Sequence, residues 1–146
     1  MKILVDADGC PVKNIIVRIA KEYKIPVTMF ADTSHLIDDG YSEVVIVGKG
    51  YDSVDFALIN NVDKGDIIVT QDYGVATMTL SKKAYSINQN GLIYTNDNMD
   101  RLLFQRYLSK KVRRAGGKTT NAKKRKKEDD KRFENSLRAM ILDMGL

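Results

Sequence analysis

Five aspartates stand at or shortly after the ends of short apolar runs in the first half of the chain: Asp6, Asp8, Asp52, Asp55 and Asp72. Carboxylates gathered in one crevice repel one another, and a bound cation relieves this repulsion. Oxygen ligands without His or Cys beside them suit a hard ion, Mg²⁺ or Mn²⁺, rather than zinc. Such an ion lowers the pKa of a bound water and neutralises charge at phosphorus. The pattern therefore predicts a magnesium or manganese site for phosphodiester hydrolysis.

The residues predicted to be both metal ligands and catalytic carboxylates are Asp6, Asp8, Asp55 and Asp72. Asp52 is either a further ligand or a charge at a helix N-terminus. The first two of these aspartates reach one ion only if the backbone turns directly after them, and Gly9 eases such a turn. The alternative for this D-x-D pair is a turn that caps the next helix. Thr70 either orients a carboxylate or water through its hydroxyl or is an ordinary strand residue.

Short apolar runs alternate with helical patterns over the first 95 residues and would position these aspartates. Strands are predicted at 3–5, 26–30, 43–47, 66–70 and 84–87, and helices at about 11–23, 53–59 and 73–82. Continuous apolar strands separated by helices favour a parallel sheet covered on both faces. The predicted fold class is therefore α/β, a three-layer, doubly wound, mostly parallel sheet of about five strands. In such a sheet, ligands bind at the carboxyl ends of the strands, where the aspartates would meet.

The C-terminal third of the chain has a different character from the first 95 residues. Two rows of apolar residues at helical spacing, with Met99 and Phe104 as their first members, predict an amphipathic helix over 96–114. We expect an α/β domain over 1–115, a basic flexible loop over 116–128, and a C-terminal helix over 129–146. The apolar stripe of this last helix would dock on the domain, with a dimer interface as the alternative.

Positive charge is concentrated at the C-terminal end of the chain. Residues 1–104 carry 10 Lys/Arg and 14 Asp/Glu, and residues 105–146 carry 14 Lys/Arg and 5 Asp/Glu, so the balances are −4 and +9. Clustered basic residues bind phosphates by releasing counterions, which points to a nucleic acid, RNA above all. A solubilising charged run is the alternative. The predicted nucleic-acid-binding residues are Arg113, Arg114, Lys123, Lys124, Arg125, Lys126 and Lys127.

Nothing in the 146 residues predicts export or a membrane partner. No apolar run approaches the roughly 20 residues that cross a bilayer, and an acid at position 6 interrupts any secretory h-region. The single cysteine, Cys10, cannot form an internal disulfide and is expected to pack or cap a helix. The one histidine, His35, is expected in a surface loop. We therefore expect a cytoplasmic protein.

Three of these segments resemble the bacterial YaiI/YqxD family, which is counted among the PIN-like nuclease folds: VDADGCP at 5–11, GYDSVD at 50–55 and DIIVTQD at 66–72. The resemblance covers almost the whole chain. It implies a PIN-like sheet with metal-binding carboxylates at the four positions given above, Mg²⁺- or Mn²⁺-dependent ribonuclease activity, and a homodimer. Gly9 stands where alanine is expected, and 123–127 is richer in charge than expected.

Three functional hypotheses follow. The first is a metal-dependent nuclease or phosphodiesterase acting on RNA. The second is a nucleic-acid- or ribosome-associated binding protein without catalysis. The third is a phosphatase of the haloacid dehalogenase type, with Asp6 as nucleophile and Asp8 as general acid, because ILVDADG at 3–9 fits the opening motif of that family. Against it, Cys10 replaces the usual threonine and no late pair of acids is evident.

Overall fold

A central sheet of six strands carries the fold in the computed structural model, which describes residues 1–32, 37–48, 53–117 and 124–143. The strands are β1 (Ile3–Asp6), β2 (Val27–Asp32), β3 (Glu43–Val47), β4 (Ile67–Val69), β5 (Tyr85–Ile87) and β6 (Ile93–Tyr94). The helices are α1 (Lys13–Tyr23), α2 (Ser53–Asn60), α3 (Tyr73–Ser81), α4 (Asn96–Arg114) and α5 (Lys127–Asp143). No helix within these described ranges is long and apolar enough to span a membrane.

The sheet has the order β3-β2-β1-β4-β5-β6, and its first five strands are parallel. The sixth strand, which the apolar pattern did not predict, has two residues and pairs antiparallel with β5. Strand β1 is central, since Ile3 pairs with Val27 of β2 on one side and with Ile67 of β4 on the other. The strand order reverses between β1 and β4. Such a switch point leaves a crevice at the carboxyl ends of the two strands.

Helices cover both faces of the sheet, so the three-layer α/β prediction is confirmed. Side chains alternate along β1: Ile3 and Val5 face a core that includes residues of α1 and α5, whereas Leu4 faces a second core with α2 and α3. These β1 side chains are fully buried. Because β1 and β4 are buried on both faces of the sheet, these central strands form unbroken apolar runs rather than alternating ones.

Helix α4 occupies the predicted range and packs against α3 at one end of the sheet. Its capping box pairs the Thr95 hydroxyl with the Asn98 backbone and the Asn98 side chain with the Thr95 backbone. Of the two apolar rows predicted for this helix, only Met99 is buried, and Leu102, which belongs to neither row, is buried with it. The remaining apolar side chains of the two rows are exposed: Leu103, Phe104, Tyr107, Leu108 and Val112.

The last helix lies on α1. Its buried side chains, Phe133, Leu137, Met140 and Ile141, join the first core. Ion pairs of Arg138 with Glu22 (2.6 Å) and of Arg18 with Glu134 (2.6 Å) flank this contact. Helix α5 begins at Lys127, two residues before the predicted boundary at 129, because Glu128, Asp129 and Asp130 favour its first turn electrostatically. Six residues of the predicted basic loop, 118–123, and the chain end at 144–146 lie outside the described residues.

Candidate functional site

Asp6 lies at the carboxyl end of β1, beside the point where the strand order reverses. It is half-buried, and the hydroxyl of Thr70, which directly follows β4, donates a hydrogen bond to its Oδ2 (3.2 Å). Thr70 is buried, and its Oγ1 also accepts a hydrogen bond from the backbone N–H of Asp72 (3.1 Å). Of the two roles considered for Thr70, the structure shows that of a hydroxyl orienting a carboxylate.

The carboxyl group of Asp6 has a strongly shifted pKa. The pKa is raised to about 6, and burial is the largest cause. The hydrogen bond from Thr70 opposes this shift, and the charges of Asp55, Asp72 and Asp8 contribute to it. Asp6 is therefore close enough to the other three predicted metal ligands to interact with them electrostatically, although the four aspartates come from three separate segments of the chain.

Asp8 lies in the turn between β1 and α1 and is half-buried. Its Oδ2 accepts a hydrogen bond from the backbone N–H of Asp32, the last residue of β2 (3.1 Å). The turn needs the left-handed backbone conformation at Gly9, where φ is 71°. The predicted turn after the D-x-D pair is therefore present, and it links Asp8 to the end of the neighbouring strand.

Asp72 and Asp55 line one open pocket of about 320 Å³ between the starts of α3 and α2. The Oδ1 of Asp72 accepts hydrogen bonds from the backbone N–H groups of Gly74 (2.7 Å) and Val75 (3.1 Å), so this aspartate is also the N-cap of α3. Asp55 lies in the first turn of α2 and is half-buried. Helix capping, which was the alternative role for Asp6 and Asp8, is thus part of the role of Asp72.

The carboxylates do not form a closed set of ligands. In the parts of the chain that the structure describes, no three His, Cys, Asp or Glu side chains are grouped so that they could hold one metal ion. Asp52, the fifth candidate, lies outside the described residues. The donor chemistry itself, carboxylate oxygens beside the Thr70 hydroxyl, fits a hard divalent cation.

A second, larger cleft of about 640 Å³ adjoins Asp72 and runs along α4. Its lining residues are Gln71, Asp72, Tyr73, Leu102, Gln105, Arg106, Ser109, Lys110 and Arg113. The Arg106 guanidinium lies 6.0 Å from the centre of the Tyr73 ring, which packs edge-on against Tyr94. Arg106, Lys110 and Arg113 are spaced about one helical turn apart and therefore face the same cleft. Asp72, one of the predicted metal ligands, lies at the end of this cleft. We call this surface the α4 cleft.

The predicted nucleic-acid-binding residues that the structure describes lie in two places, at the end of α4 and at the start of α5. Arg113 lines the α4 cleft, and Arg114 is exposed at the end of the same helix. The lysines of the second basic stretch that the structure describes are exposed: Lys124, Lys126 and Lys127. Lys123 lies outside the described residues.

Arg125 makes contacts within the chain that the basic run did not predict, and its role in nucleic-acid binding stays a prediction. Its guanidinium donates hydrogen bonds to Asp130 (2.7 Å), to the Asn90 side chain (2.8 Å) and to the carbonyl of Gln89 (2.8 Å). Gln89 and Asn90 follow β5, so Arg125 attaches the start of α5 to the carboxyl edge of the sheet. Its donors are engaged in this anchoring contact, because they are aimed at carbonyl and carboxylate oxygens of the same chain.

Sequence reasoning missed several residues of the site. Asp32 was overlooked because β2 extends two residues beyond the predicted end at 30, and its position after an apolar run was the available signal. Arg106 and Lys110, which were not among the predicted nucleic-acid-binding residues, line the α4 cleft. Cys10 is buried, and burial raises the pKa of its thiol, in keeping with a packing role. His35 lies outside the described residues.

Comparisons with known proteins agree on one family. Residues 4–143 match the model of the family described as uncharacterized BCR, YaiI/YqxD family. A UPF0178 protein of Ruminiclostridium cellulolyticum is 60% identical over 141 residues, which cover 97% of this chain and 92% of the relative. UPF0178 proteins of Clostridium acetobutylicum and Clostridium kluyveri are 54% and 55% identical, with 97% and 98% of this chain and 97% and 94% of the relatives covered. No solved structure matches the chain.

Proposed function

The chain belongs to the YaiI/YqxD family, and from the arrangement of its aspartates we propose that it is a Mg²⁺- or Mn²⁺-dependent nuclease, or related phosphodiesterase, that acts on RNA. The observation that carries the proposal is the environment of Asp6. A half-buried carboxyl at the switch point of a parallel sheet has its pKa raised by burial and then by three neighbouring carboxylates. Like charges held together in this way are typical of sites that bind a cation or transfer protons.

The residues that would hold the ion are Asp6, Asp8, Asp55 and Asp72, with Asp52 as a further candidate. When bound, a hard divalent ion supplies a water of lowered pKa and neutralises negative charge at phosphorus. The side chains contribute its position: Thr70 orients Asp6, the backbone of Asp32 orients Asp8, and the first turn of α3 orients Asp72. To coordinate one ion, these carboxylates would need to move closer together from the positions that the hydrogen bonds give them.

The α4 cleft favours a nucleic-acid substrate over a small phosphate ester. Arg106, Lys110 and Arg113 line the cleft beside Asp72, so a strand bound there through its phosphates would reach the carboxylates. The Tyr73 ring at the same end offers a surface on which a base can stack. The exposed lysines at 124, 126 and 127 would extend this basic surface, since Arg125 attaches their segment to the carboxyl edge.

The test is Mn²⁺-dependent cleavage of an end-labelled single-stranded RNA by wild type, Asp8→Asn and Asp72→Asn. Both variants keep an oxygen that accepts the backbone hydrogen bonds described above, so we expect them to fold normally by circular dichroism. Each should lose about 100-fold or more in rate, because a ligand of the ion is lost. Asp63→Asn, an exposed aspartate at the opposite edge of the sheet, is the matched control and should retain wild-type activity.

Two results would replace the proposal. RNA binding that weakens steeply with salt, with no turnover in Mg²⁺ or Mn²⁺, would favour a nucleic-acid-binding protein without catalysis. A covalent phosphate trapped on Asp6 with a phosphomonoester substrate would favour the haloacid-dehalogenase-type phosphatase. Activity that is unchanged in Asp8→Asn would also contradict the nuclease.

A further inference from the structure

Helix α4 presents an apolar surface on the side opposite its cleft. We call it the α4 outer face, formed by Leu103, Phe104, Tyr107 and Leu108, whose side chains are 40–59% exposed. Phe104 and Tyr107 stack on each other with ring centres 6.5 Å apart. Clustered large apolar side chains of this kind mark an interaction surface more often than an ordinary part of a monomer's exterior. At about 1.5 Å per residue, the 19 residues of α4 extend about 28 Å.

Charges of opposite sign flank this face at its two ends. Asp97 and Asp100 lie toward the start of α4, and Lys111 and Arg114 lie toward its end. All four are exposed. At 100° per residue, they fall on the same half of the helix as the apolar side chains. The acidic end and the basic end of one helix are therefore complementary to each other in a reversed copy.

We propose that a second copy of this chain packs antiparallel on the α4 outer face, about a two-fold axis that passes between positions 105 and 106. In this register, a residue of one copy faces the residue of the other copy whose number, added to its own, gives 211. Phe104 faces Tyr107 of the second copy, and Leu103 faces Leu108. The same register places Asp100 opposite Lys111 and Asp97 opposite Arg114, and the two-fold axis makes every pair twice.

The charge pattern selects this arrangement over the alternatives. A parallel pair of α4 helices would set Asp100 against Asp100 and Lys111 against Lys111, which is repulsive at both ends. A nucleic acid would find cations only at the Lys111 and Arg114 end of this face, because the two aspartates and the four large apolar side chains along the rest of it offer nothing to phosphates. The α4 cleft lies on the opposite side of the helix, so the pairing leaves Arg106, Lys110 and Arg113 accessible.

The experiment measures the mass of the full chain by sedimentation equilibrium at rising concentration. Wild type should shift from 16.5 kDa toward twice this mass. Asp100→Lys and Lys111→Asp should each weaken self-association by about tenfold or more, because each makes two symmetric pairs repulsive. The double variant Asp100→Lys/Lys111→Asp restores both pairs and should associate as wild type does. Lys131→Asp, the same change at an exposed lysine of α5, is the control and should have no effect.

Three outcomes would overturn the proposal. They are a wild-type chain that stays monomeric at the highest concentration, single reversals that associate as wild type does, and a double variant that does not recover. Circular dichroism identifies a misfolded variant, and Phe104→Ser, which removes an exposed ring without changing charge, then supplies an independent loss of association. Because the readout is mass, the result is separate from any finding on RNA cleavage.

Discussion

The carboxylates at the amino ends of the strands (the amino edge of the sheet) and at their carboxyl ends (the carboxyl edge) have opposite surroundings. At the amino edge, Asp66 is 2% exposed and accepts hydrogen bonds from the Lys2 ammonium (2.7 Å), the Lys2 backbone N–H (3.1 Å) and the Asp63 backbone N–H (2.8 Å). At the carboxyl edge, Asp6 accepts a hydrogen bond from the neutral hydroxyl of Thr70 and lies near three other carboxylates. The first arrangement stabilises a charge, and the second opposes one.

This difference separates a structural carboxylate from a candidate functional one. Removing a buried charge that has a cation and N–H donors around it destabilises the fold, because these partners are left without their acceptor. A carboxyl that other carboxylates surround costs free energy when it ionises, and the cost is recovered only when a proton or a cation binds. Neutralising substitutions at the two edges should therefore change stability in opposite directions.

The largest effect is expected at the amino edge. Asp66→Asn removes the charge that pairs with Lys2 and leaves the amide with fewer acceptor sites, so the free energy of unfolding at pH 7.5 should fall by about 3 kcal/mol. Urea denaturation followed by circular dichroism measures the change. Asp63→Asn, whose side chain is 82% exposed, should change stability far less. Equal effects of the two variants would contradict the assignment of Asp66 as the structural member.

Asp6→Asn should change stability in the other direction. The pKa of Asp6 rises from its ordinary 3.8 to about 6 on folding, so the protonated form is favoured in the folded state. Its stabilising contribution is present below pH 4 and is lost as pH rises to about 6. The variant, which cannot ionise, should be more stable than wild type by about 2 kcal/mol at pH 7.5.

The pH dependence provides the control for this prediction. At pH 4 the advantage of Asp6→Asn should be absent, because Asp6 is already protonated in the folded wild-type chain. Denaturation series at the two pH values test this. A variant that is less stable than wild type at pH 7.5 would show that the carboxyl edge holds Asp6 in the way the amino edge holds Asp66.

Divalent cations should stabilise the wild-type chain. At about ten times the Kd, Mn²⁺ bound only to the folded state adds about 1.4 kcal/mol, which raises the melting temperature. The increase should be reduced in Asp6→Asn and Asp8→Asn and retained in Asp63→Asn. Differential scanning calorimetry with and without Mn²⁺ measures it. An equal increase in all four proteins would place the cation away from the carboxyl edge.

The smallest effect is expected at Asp72, where capping and the proposed chemistry can be separated. Asp72→Ala removes the acceptor for Gly74 and Val75 and should cost about 1 kcal/mol of stability. Asp72→Asn keeps a capping oxygen and should retain stability while losing RNA cleavage. Urea denaturation and the cleavage assay on the same preparations test this pair. Equal loss of stability in both variants would show that the charge itself holds the helix start.

Local patterns in the sequence predicted much of the fold. Strand β3 and helix α4 occupy their predicted ranges, since unbroken apolar runs and capping residues are local signals. Strand β6 was missed because two residues carry no readable periodicity, and its position depends on β5 beside it. The end of β2 was misplaced for the same reason, because its last pairs, Ala31 with Ile46 and Asp32 with Val47, depend on a strand 15 residues away.

In the candidate site, too, local sequence patterns predicted some residues, whereas the roles of others depend on contacts between distant segments. Aspartates at strand ends are readable because parallel strands bring their carboxyl ends to one edge. The role of Arg125 was not readable, since a basic residue in a basic run looks the same whether it meets a phosphate or the carbonyl of Gln89. Likewise, the face of α4 that lines the cleft depends on which side α3 covers.

The sequence by itself determined the alternation of strands and helices, the identity of the acidic strand ends and the uneven distribution of charge, because each depends on residues close together in the chain. Only the tertiary structure decided that Asp66 has a cation beside it whereas Asp6 has carboxylates, and that α4 exposes its two apolar rows except for Met99. The reason is that the free energy of a charge or an apolar side chain depends on its neighbours in space, and strand order selects those neighbours.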